Sequence, residues 1–130
     1  MRRTLLSLGL SLALLAACAA EDNLGQHPSW VVFFTEDGAG MDPAARAVVS
    51  EAASLANRNP AAPVLVAGFA DPDATRAYNR ALSEIRAQNV AAALGEDGVA
   101  PACITVALRG GVPFIAFPVE SRRVEIKVGP

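Results

Sequence analysis

Apolar and polar positions divide the chain into short blocks whose spacing changes from one block to the next. An apolar run from Leu5 to Leu15 follows Arg2 and Arg3 and gives way to small residues and Cys18. It is shorter than the roughly 20 residues of a membrane-spanning helix. Basic, apolar and small-residue segments in that order form a secretory signal, so residues 1–17 are expected to be cleaved. Residues 19–29 are small or polar without periodicity and read as a tether. Residues 30–35, rich in β-branched and aromatic side chains, predict a buried strand that ends at a Gly-containing loop.

Helical spacing begins next. Asp42 then Pro43 combine a capping side chain with proline at the first helical position. Ala45, Val48, Val49, Ala52, Leu55 and Ala56 then recur on one face, which predicts a helix over residues 43–58 that stops before Pro60. Residues 64–69 predict a second strand. Tyr78, Leu82, Ile85, Val90 and Leu94 mark the expected inner face of a long second helix ending at Gly95. Residues 104–108 read as a third strand, with Gly110 and Gly111 as a turn inside a connection that reaches Glu120. Alternation of Val124, Ile126 and Val128 predicts a last strand over residues 123–128. The order β-α-β-α-β-β predicts an α+β fold, a two-layer sandwich with helices packed on a small mixed sheet.

Composition narrows the possible partners. The chain has 11 basic and 13 acidic residues, for a net charge of −2. Loss of Arg2 and Arg3 with the signal leaves 113 residues carrying about −4, one small domain with no basic surplus for nucleic acid. Leu15-Ala16-Ala17-Cys18 looks like a bacterial lipobox, in which the cysteine sulfur receives a diacylglycerol and becomes the mature N-terminus. Stable anchoring needs more than one acyl chain, which a di- or triacylated Cys18 would supply. Ala19 and Ala20 stand where an aspartate would signal inner-membrane retention, so the outer membrane is the expected location. With Cys18 acylated, Cys103 has no partner within the chain, and beside Ala102, Ile104 and Val106 it is expected to be a small, buried and reduced hydrophobe rather than a reactive thiol.

The segment from Gly68-Phe69-Ala70-Asp71 through Asn79 to Leu82-Ser83-Glu84-Ile85-Arg86-Ala87-Gln88-Asn89-Val90 carries a specific pattern. It resembles the OmpA-like domain of outer-membrane protein A and of peptidoglycan-associated lipoproteins. That family reads G-[HY]-T-D, an asparagine eight residues on, then L-S-x-x-R-A-x-x-V. Asp71, Asn79, Leu82, Ser83, Arg86, Ala87 and Val90 keep that register, and Arg122-Arg123-Val124-Glu125 resembles the family's N-R-R-V-E. The chain departs from the pattern at Phe69, Ala70, Ala74 and Ser121, and its connection from Gly110 to Ser121 is shorter, with Phe117 where a second asparagine is common. The resemblance covers nearly all of residues 30–128, so residues 30–130 are the expected domain and residues 18–29 its lipidated N-terminus and tether.

The resemblance implies that Asp71 and Arg86 bind the diaminopimelate of the peptidoglycan stem peptide, with Asn79 lining the site. Diaminopimelate presents an ammonium and a carboxylate on one stereocentre, which a fixed anion and a planar guanidinium fork can hold together. The expected protein is an outer-membrane lipoprotein whose periplasmic domain ties the membrane to the wall, with no cofactor. The rival is a structural module that keeps the fold without binding peptidoglycan and docks on other envelope proteins through Phe114, Ile115 and Phe117. Catalysis has little support. His27 lies in the tether, and the sequence contains no metal-ligand cluster or Ser/His/Asp set.

Overall fold

The computed structural model describes residues 24–35, 37–70, 76–111 and 122–130. The signal, Cys18, Asp71 and the apolar triplet Phe114, Ile115 and Phe117 lie outside the described residues.

Four strands and two long helices follow in the expected order: β1 Trp30–Phe33, α1 Pro43–Arg58, β2 Val64–Ala70, α2 Arg76–Glu96, β3 Ile104–Gly111 and β4 Arg123–Val128. The sheet order is β1-β4-β2-β3. β4 runs antiparallel to both β1 and β2, while β2 and β3 are parallel and joined through α2. The chain therefore forms an α+β fold of two helices on a small mixed sheet.

Local chemistry sets the helix ends. The Asp42 carboxylate accepts from the Ala45 amide at 2.7 Å, which satisfies one of the N–H groups that a helix start leaves without an internal partner. Proline follows at the first position, and at the far end the Asn59 side chain donates to the Leu55 carbonyl at 3.0 Å. α2 runs past Gly95. Gly98 adopts a φ of +98°, and the Val99 amide closes back on the Leu94 carbonyl at 3.0 Å, so Gly98 is the left-handed terminator.

The core lies between the helices and one face of the sheet. Val32, Val64, Val66, Val124, Ile126 and Val128 are all at most 1% exposed and meet Val49, Ala52, Ala53, Val90 and Leu94 of the helices. Close approach of α2 to β2 depends on Gly68, where a Cβ would stand 2.5 Å from the Ser83 carbonyl oxygen and 3.2 Å from the Ala87 Cβ.

Four expectations need correction. Gly110 and Gly111 are not a turn: they continue β3 and pair with Phe69 and Ala70 after a register shift at Gly68/Phe69, so the ladder with β2 holds them extended. Tyr78 and Ile85, expected on the inner face of α2, are 44% and 49% exposed. The inner face is instead Asn79, Leu82, Ser83, Arg86, Ala87, Val90, Ala93 and Leu94. The presumed tether is docked in part: residues Leu24–Gln26 form a 3-10 turn and Leu24 is 4% exposed within the core. Cys103 is half-buried rather than buried and disulfide-bonded rather than reduced, its sulfur 3.8 Å from the Pro60 carbonyl oxygen.

Candidate functional site

Arg86 organises one pole of the sheet. It is wholly buried, on the face of α2 that otherwise carries Leu82, Ala87 and Val90. A buried cation requires hydrogen-bonding partners, because desolvation of an unpaired charge is costly. Nε donates to the Gly38 carbonyl at 2.7 Å and Nη2 to the Thr35 carbonyl at 2.7 Å. The guanidinium lies over the Phe34 ring, 5.3 Å from its centroid, in cation–π range. The segment leaving β1 thus wraps the guanidinium, and Phe34 is itself tied down by its amide bond to the Arg122 carbonyl at 3.0 Å.

Asn79 lies seven residues before Arg86, two turns along the same helix face, and is 4% exposed. The fold therefore brings Asn79, Ser83 and Arg86 into one buried polar stripe beside the C-terminal end of β2. Asp71 follows directly on β2 in sequence but lies outside the described residues, so its expected meeting with Arg86 does too.

Sequence reasoning missed the loop between β1 and α1. The Tyr78 hydroxyl donates to Asp37 at 2.6 Å, and the Asn89 amide donates to the Ala39 carbonyl at 2.9 Å. With the two Arg86 bonds, α2 holds residues 35–39 from three positions. Gly38 closes the turn, its amide 3.2 Å from the Thr35 carbonyl, and a Cβ there would run into the Thr35 hydroxyl. The signal was present in the helical spacing of Tyr78, Arg86 and Asn89, three hydrogen-bonding side chains eight and three residues apart on one side of the helix. Asp37 places a carboxylate at the rim of this pole.

Other features carry less chemistry. Arg123 stacks on Phe69 at 4.1 Å and pairs with Glu125 at 2.9 Å on the helix-free face of the sheet. Leu65, Phe69, Arg109, Glu125 and Lys127 line a shallow hollow of about 230 Å³ there. Among the described residues no group of His, Cys, Asp and Glu could hold a metal ion, and no helix is long and apolar enough to cross a membrane.

Comparison with known proteins agrees with this geometry. The peptidoglycan-associated lipoprotein from Burkholderia pseudomallei is 25% identical over 75% of this chain and 88% of that one, with a TM-score of 0.69. The OmpA-like domain of FopA1 from Francisella tularensis is 24% identical over 77% of this chain and 71% of that one, at a TM-score of 0.67. The C-terminal domain of Helicobacter pylori MotB is 21% identical over 80% of this chain and 86% of that one, also at 0.67. These last two likenesses show the fold alone. No curated protein matches the chain by sequence. The sequence profile of the OmpA family matches residues 33–119, two thirds of the chain, and the chain belongs to that family.

Proposed function

We propose that the chain is an outer-membrane lipoprotein, acylated at Cys18, whose periplasmic domain binds peptidoglycan non-covalently and links membrane to wall. Asp71 and Arg86 hold the ammonium and carboxylate of diaminopimelate, and Asn79 lines the pocket. The observation that carries this reading is the burial of Arg86 on the core face of α2. Apolar side chains of similar volume in place of a buried ion often cost nothing or stabilise, so a cation kept there points to a role beyond packing. The name of the Burkholderia relative, a peptidoglycan-associated lipoprotein, supports the same class of ligand and anchor.

One observation favours a second reading, a structural module of the envelope without wall binding. Two of the Arg86 donor directions are already directed at Thr35 and Gly38, as in a clasp that shapes the loop. Purified sacculi separate the two readings. Wild-type domain should sediment with them and Asp71→Ala should not; retention of Asp71→Ala on sacculi would leave the clasp as the better account. The anchor is tested by mass spectrometry of the N-terminal peptide. Cys103 is disulfide-bonded and the chain has one other cysteine, which speaks against acylation of Cys18, because one sulfur cannot carry both a thioether-linked lipid and a disulfide. A disulfide-linked Cys18 peptide would contradict acylation.

A further inference from the structure

The described N-terminal segment is attached to the domain at a definite place. Leu24 is 4% exposed within the core. Its neighbour is Gly129, whose φ of +96° suits glycine and where a Cβ would stand 2.5 Å from the Leu24 Cβ. The Gly129 amide donates to the Pro63 carbonyl at 2.8 Å, and the His27 amide donates to the Leu24 carbonyl at 3.1 Å, closing the turn above the dock. This seat adjoins the pairing of Val64 with Val128, whereas Gly68 with Val124 and Phe34 with Arg122 mark the other end of the same strands. Gly129 and Arg122 are seven residues apart along β4, about 23 Å at strand rise. Leu24 and the Arg86 pole therefore occupy opposite ends of the sheet.

We infer that the Leu24 dock is a standoff device: it fixes the pole at which the anchored chain leaves the domain and turns the Arg86 pole away from the membrane. This rests on acylation of Cys18. Cys18 and Leu24 are six residues apart, so the docked chain spans at most about 20 Å between lipid and domain. Release of Leu24 would free the chain as far as Trp30 and lengthen the reach by up to about 20 Å. Docked and released states thus differ in how far the site stands from the bilayer.

The test uses the lipidated full chain on a supported bilayer. Amide hydrogen exchange should show the His27 and Gly129 amides protected in the unaltered protein. Neutron reflectometry should give a thin protein layer for wild type and Leu24→Met and a thicker, more diffuse one for Leu24→Asp, with an increase on the order of 10 Å. An unprotected His27 amide, or equal layer thickness for wild type and Leu24→Asp, would overturn the inference. The exchange measurement needs no variant and decides the matter even where Leu24→Asp does not fold. A chain that fails to stay on the bilayer overturns the anchor and the standoff with it. Protection of His27 in Cys18→Ser then distinguishes that failure from loss of the dock.

Discussion

The two helices lie on the same face of one sheet yet bury different chemistry. α1 turns Ala45, Val49, Ala52, Ala53, Leu55 and Ala56 inward, an apolar stripe whose only duty is packing. α2 buries Leu82, Ala87, Val90, Ala93 and Leu94, but its first half interleaves them with Asn79, Ser83 and Arg86. Polar groups at helix positions that geometry assigns to the core are costly unless each finds a partner. Their concentration at one end of one helix sets that end apart from the purely apolar packing of α1.

The strongest way to break this contrast is to remove the cation. Arg86→Ala deletes both carbonyl bonds and the ring contact; the exposed Thr35 carbonyl keeps the Gly38 amide, while the half-buried Gly38 carbonyl must find another partner, at a cost of about 1–3 kcal/mol. The expected loss is roughly 2–5 kcal/mol in urea titration, together with sacculus binding. Arg86 is thus a clasp as well as a candidate ligand group, and an alanine there does not leave the fold untouched. Stability unchanged within 1 kcal/mol would show that the bonds to residues 35–38 contribute little.

Gly68→Ala comes next. A methyl 2.5 Å from the Ser83 carbonyl must push α2 off β2, which overpacks the seam at a cost of about 1–3 kcal/mol. Because Ser83 lies between Asn79 and Arg86 on the helix, sacculus binding should weaken as well, in the fraction that remains folded. The smallest effect belongs to α1. Asp42→Ala removes its N-cap and should cost about 1 kcal/mol, with sacculus binding per folded molecule unchanged. A binding loss there would mean that α1 is not the purely structural partner.

The same contrast decides what the sequence could reveal. α1 was legible to the residue, 43–58, because Asp42, Pro43 and Pro60 are local signals and its inner face is apolar throughout. β4 was equally clear from the alternation of Val124, Ile126 and Val128. α2 was legible as a helix but not in its orientation. Apolar periodicity favours Tyr78 and Ile85, whereas the fold buries Asn79 and Arg86, and no hydropathy pattern assigns a guanidinium to a core. Only the register of Asn79, Ser83 and Arg86 within the family motif marked that stripe. The remaining differences come from tertiary partners: Gly110 and Gly111 are extended because β2 pairs with them, and Leu24 is ordered because Gly129 leaves it room. The loop over residues 36–40 was read as a plain connection because its partners, Tyr78, Arg86 and Asn89, are far away in sequence.

The central claim is that the polar half of α2 serves a ligand bearing both an ammonium and a carboxylate on one carbon. Calorimetry with a diaminopimelate muropeptide and its lysine analogue, on wild type and Asp71→Asn, tests it most directly. The account predicts measurable heat only for wild type with diaminopimelate. It predicts at least a tenfold weaker response, about 1.4 kcal/mol, for the lysine analogue, which lacks the second carboxylate, and for the variant, which lacks the anion. Equal affinity for the two muropeptides, or wild-type affinity in Asp71→Asn, would contradict it and leave Arg86 as the clasp of the β1–α1 loop alone.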